Sequence, residues 1–411
     1  MKNNETTMKT FCMIFFSIML FYVPITSAQW TALTTNTTEN LNDIFFLDKS
    51  TGFVAGSNGT ILKTSNAGTS WSPVSSATTK TLSEIYFPTA LIGYIVGEGG
   101  VILKTGDGGS SWSVKNSGVT TNLNGVWFVD NNNGTVVGEN GLILRTTDGG
   151  VAWTPVVSPT VFVLNAVRFT STSIGYAIGA GGAVIKTIDG GANWTFKNAS
   201  TTKALYGIDF VSDSIIYVAG TGGIVIKSID AGANWVSISN ANISSEWLKD
   251  IHCLYSENSV AVGVNGVIER SLWSDLSWTI LACGTSSSFE AMAYTSMDTG
   301  YVCGSQGTIL KTVNGGGLEV RETTFDKIDL NVFPNPFDGQ INFVLTDQLG
   351  EGITSLNIYD AFGRMVSVHG NEAAMNNTET SLDLSGFSSG IYFYSLKIGD
   401  SILTGKIVKV P

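Results

Sequence analysis

Residues 123–153 read LNGVWFVDNNNGTVVGENGLILRTTDGGVAW. This stretch holds three short segments, LNGVWF (123–128), GTVVG (134–138) and GLILRT (141–146), and a fourth begins at Trp153. Each segment is rich in β-branched or aromatic residues and is bounded by Gly, Asn or Asp, which is typical of short strands. The pair Asn140-Gly141 permits the positive φ angles of a tight turn. The stretch therefore predicts four antiparallel strands joined by short turns.

The same pattern recurs at a fixed period, which seven tryptophans mark. Successive tryptophans are 41 residues apart, except for a last interval of 43. They are Trp30, Trp71, Trp112, Trp153, Trp194, Trp235 and Trp278. Four short strands in each repeat of about 40 residues predict an all-β fold, a β-propeller with one blade per repeat.

The ends of the repeat array give the number of blades. The third segment occurs seven times, the last at 307–312, but no tryptophan follows it near position 319. Trp30 instead stands one period before Trp71, without preceding strands of its own. We therefore expect residues 29–34 to supply the outermost strand of blade seven, which closes a seven-bladed ring and covers its open sheet edge.

The N-terminus predicts export. Lys2 and Lys9 precede the apolar run FCMIFFSIMLFYVPI, and small residues end at Ala28, which is typical of a secretory signal peptide over residues 1–28. No later apolar stretch is long enough for a transmembrane helix in the mature chain. Without the signal the chain has 20 basic and 32 acidic residues. This acidic balance argues against nucleic acid or an anionic membrane as a partner.

Three cysteines remain after the signal. Cys253 and Cys303 stand where other repeats have apolar strand residues, so we expect both to be buried. Three is an odd number for an exported chain. A disulfide bond that includes Cys283 is compatible with the sequence but is not required by it. The spacing fits no metal site, and no metal or other cofactor is predicted.

A turn motif, Ser/Thr-x-Asp-x-Gly-x-x-Trp, follows the third strand in most repeats and matches the Asp-box of sialidase-like proteins. Its aspartate accepts backbone N–H groups and its glycine takes a left-handed conformation, so the motif is expected to be scaffold. The resemblance to sialidases implies three arginines around a substrate carboxylate. The propeller holds only Arg145, Arg168 and Arg270, and two of these occupy a repeated position, so sialidase activity is not expected. A xyloglucanase-like glycosidase with two carboxylates stays an alternative.

One basic residue in each repeat stands near the end of the third strand, at the Asp-box end of the propeller. The resulting basic ring is Lys63, Lys104, Arg145, Lys186, Lys227, Arg270 and Lys311. A ring of cations is suited to anions. The favoured alternative is structural, with each cation paired to carboxylates or turn carbonyls of its own or the next blade.

The opposite face differs from repeat to repeat, as a specific site requires. Turns of blades two and three carry glutamates, four first strands open with acids, and the longest loop, 236–247, ends in a tryptophan. These candidate ligand residues are Glu98, Glu139, Asp43, Glu84, Asp250, Glu290 and Trp247. Acids and aromatics around a central mouth are suited to a sugar or a cation, and solvated turn charges are the alternative.

The phrases LxxIxF, GYxVG, GxILKT and DGGxxW over residues 29–317 resemble the photosystem II assembly and stability factor family. The resemblance implies a seven-bladed propeller. It implies no photosynthetic role, because the shared motifs are scaffold.

A second domain, residues 330–411, follows a polar linker at 318–329. Its alternating short strands predict a small β-sandwich of immunoglobulin-like type. PNP (334–336), GIY (390–392) and KIVK (406–409) closely resemble the C-terminal sorting domain of type IX secretion cargo in Bacteroidetes. The resemblance implies the type IX secretion machinery as a partner, cleavage of the tail, and a product that is released or held on the cell surface.

These observations favour a secreted or cell-surface binding module with an unknown protein or glycan ligand. One alternative is a secreted glycoside hydrolase that uses carboxylates such as Glu98 and Glu139. Another, from the family resemblance, is an assembly or stability factor-like scaffold. Carboxyl groups across an open cleft favour hydrolysis, whereas a filled channel with carboxylates bonded to their own turns disfavours it.

Overall fold

The structure is a computed structural model that describes residues 30–239, 245–255, 258–271, 278–316, 330–345, 353–360, 365–369, 379–398 and 401–410. The predicted signal peptide and linker lie outside the described residues. Regular structure in these ranges consists of β-strands and short 3₁₀ turns, so the all-β prediction is confirmed. Within the same ranges, no helix has the length and apolar character needed to span a membrane.

The repeats form four-stranded antiparallel sheets, which are the blades of the propeller. The first strands in chain order are β1 (Thr31–Leu33), β2 (Leu41–Phe46), β3 (Gly52–Gly56), β4 (Ile61–Thr64), β5 (Ser72–Pro73), β6 (Leu82–Tyr86), β7 (Gly93–Gly97), β8 (Ile102–Thr105), β9 (Ser113–Lys115), β10 (Leu123–Phe128), β11 (Gly134–Gly138), β12 (Ile143–Thr146), β13 (Thr154–Pro155), β14 (Leu164–Phe169), β15 (Gly175–Gly179), β16 (Ala183–Thr187) and β17 (Thr195–Asn198). They continue as β18 (Leu205–Phe210), β19 (Ile216–Gly220), β20 (Val225–Ser228), β21 (Val236–Ser237), β22 (Leu248–Tyr255), β23 (Asn258–Gly263), β24 (Ile268–Ser271), β25 (Trp278–Ile280), β26 (Phe289–Tyr294), β27 (Gly300–Gly304) and β28 (Ile309–Thr312).

Six sheets consist of four consecutive strands, from β2–β5 to β22–β25, and a seventh has the order β1-β28-β27-β26. The first strand of each blade lies innermost and contacts the innermost strands of both neighbouring blades, and β26 contacts β2. The innermost strands therefore surround a central channel, and side chains that point away from the blade cores line it.

The tryptophans pack between neighbouring blades. Trp71, for example, lies in one core cluster with Leu41 of its own blade and with Tyr301 and Cys303 of the seventh blade. The second strand of each blade is buried along its length, as GFVAG in β3 shows. Each blade thus buries both faces of its sheet against neighbours, and this burial of apolar area stabilises the ring.

The N-terminal strand joins the last blade to the first. β1 pairs antiparallel with β28, and Trp30 is buried beside Phe289 in a cluster shared by the sixth and seventh blades. The Tyr301 hydroxyl donates to the carbonyl of Ala67 in the first blade at 3.0 Å. The outer edge of β28 is therefore covered by the start of the chain.

A three-residue 3₁₀ turn joins the second and third strands of each blade. These turns are Ser57–Gly59, Glu98–Gly100, Glu139–Gly141, Ala180–Gly182, Thr221–Gly223, Val264–Gly266 and Ser305–Gly307. In the first turn Asn58 and Gly59 have φ values of 52° and 70°. A Cβ on Gly59 would lie 1.9 Å from the carbonyl oxygen of Thr78, so the close approach of the crossover loop requires glycine.

The Asp-box turns are held by their own side chains. Asp107 accepts the hydroxyl of Thr105 at 2.8 Å and the backbone N–H groups of Ser110 and Ser111 at 3.0 and 2.9 Å. Hydrogen bonds from the Ser111 hydroxyl and N–H hold the pKa of Asp107 well below its usual range. The carboxylate of Asp107 is therefore engaged in hydrogen bonds within its own turn.

Ala67 occupies a left-handed position in the first Asp-box turn, with a φ of 57°. Four other blades have glycine there, for example Gly149 with a φ of 70°. Because this conformation costs an L-residue about 1–2 kcal/mol and glycine loses more entropy on folding, Ala67→Gly should stabilise the propeller by about 0.5–1 kcal/mol. Urea denaturation checks this value. The reverse change, Gly149→Ala, should destabilise, and equal midpoints for both variants and the parent would contradict the strain.

The C-terminal domain contains two further sheets. Its strands are β29 (Leu330–Phe333), β30 (Gln340–Leu345), β31 (Ile353–Tyr359), β32 (Met365–His369), β33 (Glu379–Asp383), β34 (Gly390–Ile398) and β35 (Ser401–Lys409). The sheet orders are β29-β30-β33 and β32-β31-β34-β35. Phe343 of the first sheet and Leu356, Tyr392 and Ile407 of the second share one buried cluster. The two sheets therefore enclose a common core, and their immunoglobulin-like type stays a prediction.

The three cysteines are free thiols. Cys303 is fully buried, and Cys253 and Cys283 are partly buried. Burial raises the pKa of the Cys253 and Cys303 thiols well above the usual value, so both are neutral side chains near pH 7.

Candidate functional site

Polar side chains on the innermost strands link neighbouring blades around the channel. The second residue of three of these strands is asparagine, and its amide donates to the first residue's carbonyl in the following blade. Asn42 donates to Leu82 at 2.7 Å, and Asn165 donates to Leu205 at 2.7 Å. The acceptors are backbone carbonyl groups at the inner edge of each sheet, where no further strand is present to pair with them.

Carboxylates at the third position make the complementary bond. Asp43 accepts the backbone N–H of Ile85 in the next blade at 2.8 Å, and Asp250 accepts that of Met292 at 2.9 Å. Glu84 accepts the N–H of Val126 in the same manner. Three of the predicted ligand residues are therefore bound to backbone groups of their neighbouring blades.

A charged pair crosses the channel. Arg168, the fifth residue of β14, forms an ion pair with Glu84 of β6, which lies two blades away. The guanidinium also lies 5.2 Å from the ring centre of Trp127, and Trp127 stacks on Tyr86 at 4.4 Å. Side-chain exposures are 27% for Arg168 and 10% for Glu84, so the pair is largely removed from water.

Burial dominates the acid–base properties of this group. It raises the pKa of Asp250 to about 6 and that of Glu84 above its usual value, against the lowering effect of Arg168. It also raises the pKa of Asp43 well above the usual range, and the nearby Glu84 carboxylate adds to the increase. Asp43, Glu84 and Asp250 therefore hold protons more strongly than free carboxyl groups do.

A cavity of about 170 Å³ opens at the mouth of the channel, above this pair. Its charged lining residues are Asp43, Glu84, Arg168, Lys249, Asp250 and Glu290. At the rim, Lys249 pairs with Glu290 at 3.1 Å and lies 4.7 Å from the ring centre of Tyr206, which also lines the cavity. The mouth thus presents both signs of charge, with carboxylates in excess.

An aromatic pair extends from the rim to the surface. The rings of Tyr206 and Trp247 are stacked at 6.3 Å, and Trp247 is 49% exposed. A large exposed indole beside a charged cavity is suited to binding another molecule, since aromatic side chains supply much of the energy at interfaces. The structure places Trp247 next to the cavity through Tyr206.

Glu98 and Glu139 do not line this cavity. Glu98 accepts the backbone N–H of Thr81 at 3.1 Å and pairs with Lys80 at 3.4 Å, and these contacts lower its pKa. Glu139 accepts the side-chain amide of Asn122 at 2.9 Å. The predicted ligand face therefore divides into a channel group with Trp247 and two separate turn glutamates.

The basic ring lies against turn carbonyls of the following blade. Lys63 donates to Gly108 at 2.9 Å, Lys104 to Gly149 at 2.7 Å and Arg270 to Gly315 at 2.8 Å. Arg145, Lys186 and Lys311 make equivalent bonds. Lys227 lies 5.0 Å from the ring centre of Tyr217. These contacts give the cations a part in holding neighbouring blades together.

A larger groove of about 840 Å³ lies beside the outer strands of the first blade. Its lining combines hydroxyl and amide side chains with apolar ones, among them Ile61, Leu62 and Trp71. Lys80 is its single charged lining residue, whereas six charged side chains converge at the channel mouth, so the mouth is the stronger candidate for specific binding.

Sequence reasoning missed Arg168, Tyr206 and Lys249 as parts of the site. It considered Arg168 only as one member of a carboxylate-binding set, and the other two not at all. A usable signal was present, because residues at the second and third positions of the first strands, such as Asp43 and Lys249, line the cavity, and Arg168 joins them from a fifth position. Comparing the residues at these positions in all of the blades groups the charged residues with Tyr206. Among the described residues, no three His, Cys, Asp or Glu side chains are placed to hold a metal ion.

Two protein families match the sequence. Residues 331–410 match the secretion system C-terminal sorting domain, and residues 23–116, 69–160 and 152–272 match the photosynthesis system II assembly factor YCF48. Both resemblances inferred from the repeat and tail phrases are thereby confirmed. No significant match exists among curated proteins.

Solved structures show the same propeller fold. One described as YCF48 bound to D1 peptide has a TM-score of 0.60 and 23% identity, with 70% of this chain and 95% of the other covered. YCF48 from Cyanidioschyzon merolae has a TM-score of 0.59 and 20% identity, with coverages of 69% and 98%. The GH74 xyloglucanase from Xanthomonas campestris has a TM-score of 0.59 and 13% identity, with coverages of 78% and 59%. At these identities the likeness concerns the fold, but the family matches cover more than half of the sequence, and the chain therefore belongs to the photosynthesis system II assembly factor YCF48 family.

Proposed function

We propose that this protein is an exported, non-enzymatic binding module that takes a polypeptide segment at the mouth of its central channel. The observation that carries the proposal is the mouth itself, where the Tyr206–Trp247 pair adjoins a cavity with charges of both signs. An extended peptide offers the matching groups, namely apolar side chains for the indole and amides or charged side chains for the rim. The family relative described as YCF48 bound to D1 peptide supports a peptide over a glycan.

Export rests on the sorting domain at residues 331–410, which indicates a secreted or cell-surface protein. Passage through the type IX secretion machinery follows from this domain. Cleavage of the tail, and either release or attachment at the cell surface, belong to the proposal.

A secreted glycoside hydrolase is the second candidate, since a GH74 xyloglucanase shares the fold. Hydrolysis needs one carboxyl that protonates the leaving oxygen and one that acts as base or nucleophile. In the channel, both oxygens of Asp43 accept backbone N–H groups, from Ile44 and Ile85, and Glu84 is bound to Arg168. The turn glutamates are bonded to their own blades. This geometry favours binding over hydrolysis.

The test uses the chain without residues 1–28 and a phage-displayed random peptide library, followed by calorimetry with the most enriched peptide. Trp247→Ala should weaken binding roughly tenfold or more, since exposed aromatic anchors dominate such interfaces. Phe196→Ala is the matched control, because Phe196 is 51% exposed on the outer strand β17, and it should leave the affinity unchanged.

Two results would replace the proposal. Equal affinities for the Trp247→Ala variant and the parent would move the ligand away from the mouth. Sugar release from xyloglucan or other polysaccharides that is lost in Glu98→Gln or Glu139→Gln would establish the hydrolase.

A further inference from the structure

The sorting domain carries apolar side chains on a surface that is usually polar. In an antiparallel sheet with one face on a core, alternate residues point to solvent and are mostly hydrophilic. Along β34, Tyr392 and Leu396 point into the core shared with the other sheet. Ile391 and Phe393 alternate with them and point outward, with exposures of 46% and 45%.

These two side chains belong to a continuous patch. In the sheet register Phe393 lies opposite Tyr359 of β31 and Lys406 of β35, and Ile391 lies opposite Val408. Directly opposite residues in an antiparallel pair project from the same face. The outer patch, defined as Ile391, Phe393, Tyr359, Val408 and Lys406, is therefore apolar with one exposed cation. Scattered single apolar residues need no explanation, but a contiguous group on a small domain is typical of an interaction surface.

The edge of the sheet beside the patch is closed to a further strand. β35 is the edge strand, and the Asn335 side chain donates to the carbonyl of Lys406 and accepts the N–H of Val408, each at 3.0 Å. Phe337 then donates its backbone N–H to Val408 at 2.9 Å and accepts that of Val410 at 2.8 Å. A partner strand cannot pair with backbone groups that are already bonded. At this end of the domain the face, and not the edge, is available to a partner.

We propose that the outer patch is the surface by which a component of the secretion machinery binds this domain. The occupant is a protein surface with apolar side chains for Phe393 and Ile391 and a carboxylate for Lys406. The family match identifies residues 331–410 as a sorting domain, and a sorting domain functions by being bound before it leaves the cell. The inference rests on the export part of the proposed function and is independent of the ligand at the channel mouth.

The test measures export of the full-length precursor in the producing bacterium, as the amount of propeller outside the cell relative to the periplasm. Phe393→Ser and Ile391→Thr should each reduce the exported fraction, and the double variant should reduce it roughly tenfold or more. Lys406→Glu should also reduce it, because it places a negative charge against the expected carboxylate. Phe333→Ser is the matched control, since Phe333 is 49% exposed on β29 of the other sheet, and it should be exported normally.

Protease resistance of the periplasmic protein separates loss of folding from loss of binding. A folded but retained Phe393→Ser protein supports the patch, and Lys406→Glu provides a second variant with no change in the core. Normal export of the double variant overturns the inference. A precursor that ends at residue 329 tests the sorting role itself. If this precursor is exported, the sorting role is wrong. If it is retained while the double variant is exported normally, the sorting role stands and only the assignment of the outer patch is wrong.

Discussion

Replacing Arg168 by methionine should lower the free energy of unfolding at pH 7 by about 3 kcal/mol, because it leaves a buried carboxylate without its partner. Glu84 would keep its bond from the N–H of Val126 but would lose the guanidinium that crosses the channel from β14. Methionine retains much of the apolar stem of the arginine but not the guanidinium that lies over Trp127. The main effect should therefore come from the uncompensated charge, and urea denaturation followed by tryptophan fluorescence measures it.

The loss should depend on pH with a definite sign. Arg168 lowers the pKa of Glu84 against the raising effect of burial, so that pKa is higher in the variant. A carboxyl whose folded-state pKa lies above its unfolded value destabilises the fold when ionised, and this penalty disappears as the pH falls through the folded pKa. The difference between parent and variant should be largest near pH 7 and should shrink toward pH 4–5. Asp250, with a pKa of about 6, follows the same sign.

Two controls isolate the ion pair. Arg145→Met removes a similar side chain that donates to the carbonyl of Gly190 at 3.0 Å, and it should cost only about 1 kcal/mol with little pH dependence. The double variant Glu84→Gln/Arg168→Met removes both charges and should recover at least half of the loss. Equal losses in the single and double variants at pH 7 would show that packing, and not the charge, explains the effect.

Trp30→Ala should destabilise the propeller by about 3–5 kcal/mol, as removal of a fully buried large aromatic side chain usually does. Trp30 is 2% exposed and packs between the sixth and seventh blades. The truncation also weakens the docking of β1 on β28. We therefore expect opening of the ring at this seam before global unfolding, which urea denaturation and hydrogen exchange together detect.

The sequence ILKT supplies an internal control for hydrogen exchange, since it forms both β4 at 61–64 and β28 at 309–312. Identical side chains give closely similar intrinsic exchange rates, so a difference reports protection. In Trp30→Ala, exchange should accelerate at 309–312 relative to 61–64. Thr31→Ala, at an exposed position of β1, should leave the two segments nearly equal. Uniform acceleration of both segments would mean that the ring unfolds as one unit.

The fold could be predicted from the sequence because the residues that determine the turns and strands of a blade lie close together within each repeat. The Gly, Asn and Asp positions set the turns, and the alternation in segments such as LNGVWF sets the buried and open faces of the strand. The tryptophan period then gave the blades. The tail phrases sufficed for the sorting domain in the same way, because they too act through local strand patterns.

The candidate site was predicted only in part. The acids of the first strands do line the channel mouth, and Trp247 adjoins it through Tyr206. Glu98 and Glu139 lie apart, because the 3₁₀ turns hold them against their own blades. Arg168 was missed as the partner of Glu84, since 84 residues separate the two and no local pattern relates them.

The all-β fold, the four-stranded repeat, the scaffold role expected of the Asp-box and the sorting domain could all be read from the amino-acid sequence. These features depend on residues within about one repeat of each other. Which charges meet depends on the folded ring, because it brings side chains of different blades to one axis where water is largely excluded. The tertiary structure also establishes that Ile391 and Phe393 share an exposed face and that Asn335 closes the neighbouring edge, since register between strands determines which side chains become neighbours.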